Sequence, residues 1–193
     1  MDGQTLEPAR FPLGGGLDQG TRPALRVLGM KLVHVVPHVN QEASGPSYSV
    51  PRLCEALAAR GHDVELSCQA ARQPIPGVRT SVYPEWRVLR RFAISPAHAR
   101  ALARAARHVD VIHNHSLWSM VNVAAGWVVP GRRAKLVTSP RGTLSEWAMT
   151  RNRRIKRVLS LAQDRALRRA DVLHATSEAE YLDIRQRGYK PPV

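Results

Sequence analysis

Two histidines stand two positions apart at the end of an apolar run, in the stretch "DVIHNHSLW" at residues 110–118. Alternate residues of a strand share a face, so His113 and His115 could bind one metal ion, act as a base, or serve as core histidines. A metal needs a third ligand, and the neighbouring sequence offers no cysteine and no carboxylate beyond Asp110. We therefore expect no metal here, a structural His113 inside the strand, and a polar or general-base role for His115 beyond it.

A second candidate is the stretch "NQEASGPSYSVP" at residues 40–51, which links the first apolar run to the first helical pattern. Gly45 allows close backbone approach, and Ser47 and Ser49 can donate hydrogen bonds to an anion at a helix N-terminus. The stretch lacks both the GxGxxG and the GxxxxGK[ST] patterns of nucleotide-binding loops. An anion site and an ordinary capped turn both remain open.

A third candidate is "SPRGTLSEW" at residues 139–147, where Arg141 and Gly142 follow another apolar run. A guanidinium beside a flexible glycine suits a bidentate contact with a phosphate or carboxylate, although it could also tie two loops together. Thr143 with Glu146, and Ser177 with Glu180, have the spacing of capping boxes and are interpreted as helix starts.

A strongly basic helix is predicted from "RNRRIKRVLSLAQDRALRRA", which holds eight Lys or Arg residues and one acidic residue, Asp164. Its predicted apolar face consists of Ile155, Val158, Leu159, Ala162 and Ala166. Its basic face consists of Arg153, Arg154, Arg157, Arg165 and Arg168. Such a face suits anionic lipid headgroups, phosphates or simple solvation. Nucleic acid is the weaker expectation, because no recognition motif accompanies the charge and aromatic residues make up only 5% of the chain.

These candidates need strands and helices to position them. Apolar, β-branched runs occur at 32–36, 64–68, 109–112, 134–138 and 171–175, with a weaker one at 78–83. Helical periodicity separates them, most clearly at 50–60; because Pro51 belongs in a first turn, the regular helix is predicted to begin near Ser49. The alternation predicts an α/β fold, a doubly wound parallel sheet of Rossmann-like type. In such sheets ligands bind at the carboxyl ends of the strands, which is where the polar candidates fall.

Composition sets the remaining limits. The 193 residues suffice for one sizeable core, and the net charge of +14 implies an anionic partner. Cys54 and Cys68 are interpreted as buried thiols in a reducing compartment, and neither a membrane span nor a signal peptide is visible, which predicts a cytoplasmic protein. Residues 1–29, rich in glycine and proline, are predicted to be a disordered leader, and residues 30–193 the folded domain.

Four segments together resemble a known family: "SGPSYSVPRLCEALAARGHDVEL", "DVIHNHSLW", "LVTSPRGTLSEWAM" and "ADVLHATSEAEYLDIRQRGYKPPV". In order and spacing they are similar to the N-terminal half of family 4 glycosyltransferases of the GT-B fold, above all to bacterial enzymes of cell-surface polysaccharide and glycolipid biosynthesis. The resemblance implies an acceptor-side domain that faces a donor-binding domain across a cleft. It also implies retaining, metal-independent transfer from a nucleotide-sugar to a lipid- or sugar-linked acceptor, with no cofactor.

The resemblance also implies site residues. Gly45, Pro46 and Ser47 match the loop that approaches the donor diphosphate, with one glycine where the family usually has two. His115 matches a cleft histidine and is assigned the catalytic role. Asn114, Arg141 and Gly142 are assigned to substrate binding in the same cleft. The basic helix fits enzymes that lie peripherally on the inner membrane surface to reach lipid-linked acceptors.

The chain departs from the family pattern at its end, because Pro191-Pro192-Val193 stand where the family continues into a donor domain. We therefore expect no efficient sugar transfer by this polypeptide alone, with a donor-domain half on a separate chain or lost by truncation. Two alternatives remain, namely a non-catalytic module that binds an acceptor or an anionic membrane, and a basic nucleic-acid-binding domain. The sequence does not specify the sugar, the nucleotide or the acceptor.

Overall fold

The computed structural model describes residues 29–40, 44–86 and 92–193; the predicted leader, apart from Gly29, lies outside them. The described elements, in chain order, are β1 (Lys31–Val35), α1 (Gly45–Ala58), β2 (Asp63–Cys68), β3 (Arg79–Val82), α2 (Pro96–Ala105), β4 (Val111–His115), α3 (Met120–Val128), β5 (Lys135–Ser139), α4 (Glu146–Thr150), α5 (Arg153–Arg168), β6 (Val172–Leu173) and α6 (Glu178–Gln186).

The six strands form one parallel sheet in the order β3-β2-β1-β4-β5-β6. All six apolar runs of the sequence became strands, including the weak one at β3, so the predicted doubly wound α/β fold is confirmed. The strand order reverses between β1 and β4. This switch point leaves a crevice at the carboxyl edge of the sheet, which is where ligands bind in open parallel sheets.

Two hydrophobic clusters cover the sheet. The larger one joins β1, β4 and β5 to α2, α3, α5 and α6, and the smaller one joins β2 to α1. Leu32 and Val33 are neighbours in β1 but belong to different clusters, so the clusters lie on opposite faces. Cys54 and Cys68 are both in the smaller cluster, free and fully buried as predicted, and burial raises the pKa of their thiols to about 12 and about 11.

Helix α1 begins earlier than the sequence predicts. It starts at Gly45 with Pro46 in its first turn, so Pro51 lies inside the helix rather than at its start near Ser49. A proline there removes one backbone hydrogen bond. Tertiary packing outweighs that cost, because Val50 and Cys54, on the inner side of the helix, are completely buried against the sheet.

The start of α4 also differs from the prediction. Ser145, not Thr143, is the N-cap residue, and its hydroxyl accepts a hydrogen bond from the Ala148 backbone N–H at 3.3 Å. The Thr143 hydroxyl instead donates to the Pro140 carbonyl at 2.6 Å and closes the preceding turn. The Ser177 cap at the start of α6 is confirmed, with its hydroxyl accepting from the Glu180 backbone N–H at 3.2 Å.

The basic helix α5 is confirmed, but its buried face is rotated from the prediction. Leu159 and Ala166 are buried as expected, whereas Val158 is 70% exposed. Gln163 is buried instead, because its side-chain oxygen accepts a hydrogen bond from the Trp118 backbone N–H at 3.0 Å. Helix α3, which the sequence analysis did not predict, packs against α5 at Gly126.

Candidate functional site

Three histidines meet at the switch point between β1 and β4. The pairing of these strands sets His34 beside His113, and His115 follows two residues on along the same face of β4. The Nδ1 atom of His34 lies 2.9 Å from Nε2 of His115, and the ring centroids of His113 and His115 are 4.0 Å apart. One ring nitrogen from each of the three histidines lies within 4.8 Å of the other two, so β1 supplies the third imidazole that the local sequence lacked.

The histidine cluster, His34, His113 and His115, is uncharged at neutral pH. Burial, reinforced by the nearby Arg141 guanidinium, lowers the pKa of His34 to about 4. Burial and the neighbouring imidazoles lower the pKa of His113 to about 2 and hold that of His115 well below its usual value. His115 is the last residue of β4, not a residue beyond it, and is 0% exposed.

Arg141 joins this cluster to helix α1. It follows β5, and its Nη2 atom lies 3.2 Å from Nδ1 of His115, while Nη1 donates to the Ser49 hydroxyl at 3.4 Å. Its Nε–H is buried and has no hydrogen-bond partner among the described residues. The backbone of Arg141 has φ 57°, a left-handed conformation that costs free energy in any residue with a side chain.

Two further non-glycine residues near this edge share that backbone conformation. Ser116 has φ 69° and Trp118 has φ 67°, and both follow β4. Strained backbone conformations of this kind persist only where surrounding contacts enforce them, and they concentrate at binding and catalytic sites.

The N-terminus of α1 carries polar groups that the described residues leave accessible or unpaired. Gly45 is exposed, and a Cβ added there would have no heavy atom of the described residues within 4 Å. Ser44, the N-cap residue, makes no side-chain capping bond, and the buried Ser47 hydroxyl has no partner within the described parts of the chain. Polar hydrogens at the start of a 14-residue helix, with the positive end of its dipole, are the features that bind phosphate.

Glu180 holds the neighbouring loops in place and is a site residue that the sequence analysis assigned only to a helix start. Its buried carboxylate accepts hydrogen bonds at 2.7 Å from the Gly142 backbone N–H and from both the backbone N–H and the hydroxyl of Thr176. It thereby ties the loop after β5, which carries Arg141, to the loop after β6. The sequence showed that Glu180 follows Ser177 at the spacing of a capping box. It did not show that the Glu180 carboxylate would accept a hydrogen bond from Gly142.

Asn114 does not lie with the other predicted binding residues. It is 1% exposed and points to the face of β4 opposite His113 and His115. Its side chain exchanges hydrogen bonds with Asn122 of α3, at 2.7 Å to the Asn122 amide and 3.2 Å to its carbonyl. The structure therefore places Asn114 in the packing between β4 and α3, away from the accessible edge.

A cavity of about 310 Å³ opens beside the N-terminus of α1. Its polar lining comes from the segment after β1, from α1 and from the loop after β2, namely Asn40, Ser47, Tyr48, Arg52, Glu55, Arg72 and Gln73. This volume is at the lower end of those that hold small ligands. Hydrogen-bonding groups of both kinds and an exposed aromatic ring suit a polar ligand such as a sugar.

The outer face of α5 combines arginines with exposed apolar side chains. Leu161 is 85% exposed and Val158 is 70% exposed, and nearby on α4 Trp147 is 68% exposed. All five predicted arginines, Arg153, Arg154, Arg157, Arg165 and Arg168, are exposed. The Arg168 guanidinium pairs with Asp164 at 2.8 Å. Among the described residues, no helix has the length and apolar content needed to cross a bilayer.

The sheet order, the covering helices and the polar switch point define a Rossmann-like α/β domain. Residues 44–193 match the family profile of the glycosyl transferase 4-like domain, and the chain belongs to that family. Among solved structures, the chain is similar to sucrose-phosphate synthase from Thermosynechococcus elongatus, with a TM-score of 0.61 and 17% sequence identity. The similarity covers 84% of this chain and 46% of that one, so the chain spans about half the length of the synthase. No curated protein sequence matches the chain.

Proposed function

We propose that this glycosyltransferase-like domain binds a phosphate group of a nucleotide-sugar at the edge formed by α1, His115 and Arg141. The observation that carries the proposal is the pair of buried polar groups there, the Ser47 hydroxyl and the Arg141 Nε–H, which have no partner among the described residues. They lie beside a helix N-terminus whose N-cap residue makes no side-chain capping bond. An anion would satisfy such groups, and a guanidinium next to a helix dipole favours it electrostatically. Gly45, Pro46 and Gly142 would let the ligand approach the backbone.

The cavity beside α1 is the proposed place of the acceptor. It adjoins the phosphate edge, so an acceptor hydroxyl there would lie near the transferred sugar. In the reaction we propose, the sugar passes from the nucleotide to a lipid- or sugar-linked acceptor of bacterial cell-surface polysaccharide or glycolipid synthesis. A donor-binding domain, in the same or a separate chain, would close the other side of the cleft.

The role of His115 in this proposal is to orient rather than to exchange protons. Its Nδ1 and Nε2 atoms face Arg141 and His34, and the ring is fully buried. A general base must reach the proton that it removes, directly or through one water. The catalytic role taken from the resemblance stays a prediction, and the contacts support a positioning role more directly.

Titration with inorganic pyrophosphate, UDP-glucose and GDP-mannose, followed by backbone NMR shifts, tests the phosphate site. We expect the largest shifts at the amides of Gly45, Ser47 and Gly142, and a loss of affinity of about tenfold or more in Arg141→Ala, because a charged hydrogen bond is removed.

The matched control for the titration is Arg133→Ala, which removes the same charge beside Asp110 at the amino ends of the strands. Equal weakening by both substitutions would reduce the effect to net charge. Shifts confined to the outer face of α5 would contradict the proposed site.

A second candidate function, attachment to an anionic membrane surface, is favoured by the exposed apolar side chains on α5. A merely solvated basic helix has no reason to present Val158 and Leu161 to water. Arginines around an apolar strip are the pattern of helices that lie in the headgroup region of a bilayer. Each arginine near such a surface contributes about 1 kcal/mol.

Flotation with phosphatidylcholine vesicles, with and without 30% phosphatidylglycerol, tests the membrane surface. We expect binding only to the anionic vesicles, and a loss of about tenfold or more in Leu161→Glu, which adds a repelled charge and removes apolar contact. Leu182→Glu on α6, 48% exposed, is the control and should bind as the unmodified protein does. Binding that survives Leu161→Glu would place the membrane contact elsewhere.

A further inference from the structure

His34 has no place in the proposed ligand contacts, yet it lies at the centre of the site. It is 2% exposed, one residue before the end of β1, and its Nδ1 atom meets Nε2 of His115 at 2.9 Å. The two rings are within 10° of parallel with centroids 5.2 Å apart, so the nitrogens meet edge to edge. The pair is a hydrogen bond between imidazoles.

The direction of that hydrogen bond follows from Arg141. A guanidinium can only donate, so Nδ1 of His115, 3.2 Å from Arg141 Nη2, must be the acceptor. A neutral imidazole carries a single N–H, which on His115 is then at Nε2. His115 therefore donates to Nδ1 of His34, and His34 carries its own proton at Nε2. Three residues from β1, β4 and the loop after β5 thus form one directed chain.

We propose that His34 is a positioning residue that accepts the Nε2–H of His115, fixes the orientation of that ring and, through it, holds the Arg141 guanidinium toward the N-terminus of α1. If the acceptor at His34 is removed, the His115 proton loses its partner at Nε2. The ring is then no longer held at that edge, and it turns away from its present position, which weakens the contact of its Nδ1 with Arg141. The consequence for ligand affinity rests on the proposed phosphate site, whereas the tautomer itself does not.

The ionic environment keeps this chain neutral. The groups that face His34 are His113 on β4, with ring centroids 5.3 Å apart, His115, and the Arg141 guanidinium, and none of them stabilises a second positive charge. His113 Nε2 is buried without a hydrogen-bond partner among the described residues. The series of hydrogen bonds from Arg141 to His34 therefore does not branch through this nitrogen.

The first test is the tautomeric state of the histidines at pH 7.5, read from long-range ¹H–¹⁵N correlations. We expect the proton at Nε2 on both His34 and His115. A His115 proton at Nδ1 in the unmodified protein would overturn the proposal. So would tight Zn²⁺ binding that depends on His34, since a nitrogen that coordinates a metal cannot accept the His115 proton.

The second test compares His34→Leu with His34→Asn. Leucine fills the space without an acceptor, whereas the asparagine side-chain oxygen can take the place of Nδ1. We expect His34→Leu to shift the His115 Nε2–H signal, alter the Arg141 Nε–H signal, and weaken pyrophosphate binding about three- to tenfold, the worth of one hydrogen bond. His34→Asn should keep all three readouts close to those of the unmodified protein.

The control is His98→Leu, which removes a buried imidazole that bonds Ser67 at 2.8 Å instead. It should lower stability but leave the His115 tautomer and the Arg141 signal unchanged. Identical His115 Nε2–H and Arg141 signals in His34→Leu and the unmodified protein would refute the positioning role. Failure of pyrophosphate to bind any variant, with the tautomers as expected, would refute the proposed phosphate ligand and leave the role of His34 standing.

Discussion

The free energy of unfolding should fall steeply as the pH drops from 6.5 toward 4. Burial disfavours the charged ring of four histidines and lowers their folded-state pKa values. The pKa is about 4 for His34 and His98, about 2 for His113, and well below 6.5 for His115. The unfolded chain binds a proton at each ring below pH 6.5, whereas the folded chain does not. Stability is therefore complete above pH 6.5 and is lost through this window.

The expected size of the acid effect is large. Each ring contributes a slope of about 1.36 kcal/mol per pH unit, hence about 2 kcal/mol at pH 5 and about 8 kcal/mol for four. That is comparable with the entire stability of a typical domain, about 5–15 kcal/mol. Hydrogen bonds from the Lys31 N–H and from Arg133 lower the pKa of Asp110 from its ordinary value. Protonation of Asp110 therefore affects stability only at lower pH and can be distinguished from protonation of the histidines.

Urea unfolding followed by tryptophan fluorescence at pH 7.5, 6.0 and 5.0 measures the slope. We expect the protein to take up close to four protons when it unfolds at pH 5.0. His98→Leu should lower the slope by one proton even though it lowers stability at pH 7.5. A free energy of unfolding that stays level from pH 7.5 to 5.0 would mean that these rings titrate normally in the folded protein.

Gly126→Ala should destabilise the protein by about 2 kcal/mol, although the same exchange in an exposed helix stabilises by about 1 kcal/mol. A Cβ at Gly126 of α3 would lie 2.4 Å from Cβ and 2.7 Å from Cα of Ala166 on α5. One helix must move away from the other, and the basic face of α5 moves with it. The loss should appear directly in urea unfolding at pH 7.5.

Two further variants test the reason given for the Gly126→Ala effect. The double variant with Ala166→Gly returns space at the contact and should recover part of the loss, since neighbouring sites couple. Gly45→Ala, where the added Cβ meets nothing within 4 Å, should change stability by less than about 1 kcal/mol. Equal stabilities for the two alanine variants would show that α3 and α5 are not packed as closely as described.

The sequence predicted the sheet well and two of the helices poorly, for physical reasons. A parallel strand that is buried on both faces has a continuous apolar run, which is recognisable in the sequence. Helix α3 is buried almost all round, so no polar face revealed its period. The buried face of α5 was misassigned because Gln163 is buried to satisfy a backbone N–H, which hydrophobicity cannot show.

The site was predicted in part. Arg141 and His115 were visible because each sits at the end of an apolar run, where the carboxyl ends of parallel strands converge. Gly45 was visible because it lies in the stretch that joins the first apolar run to the first helical pattern. His34 was missed because its partner lies 81 residues away, and only the pairing of β1 with β4 brings them together. Asn114 was misplaced because the sequence analysis ended β4 before residue 114, whereas β4 continues to His115 and turns Asn114 to the other face.

The left-handed backbone at Ser116, Trp118 and Arg141 has a consequence for how this chain can change. Glycine would relieve the backbone strain at each of these positions. At Trp118 it would also remove a ring that packs against the larger cluster, and at Arg141 it would delete the guanidinium. Selection for thermal robustness and selection for the ligand recognition that we propose for Arg141 thus pull the same codon in opposite directions. A laboratory evolution campaign that rewarded heat resistance alone would be expected to replace Arg141 early.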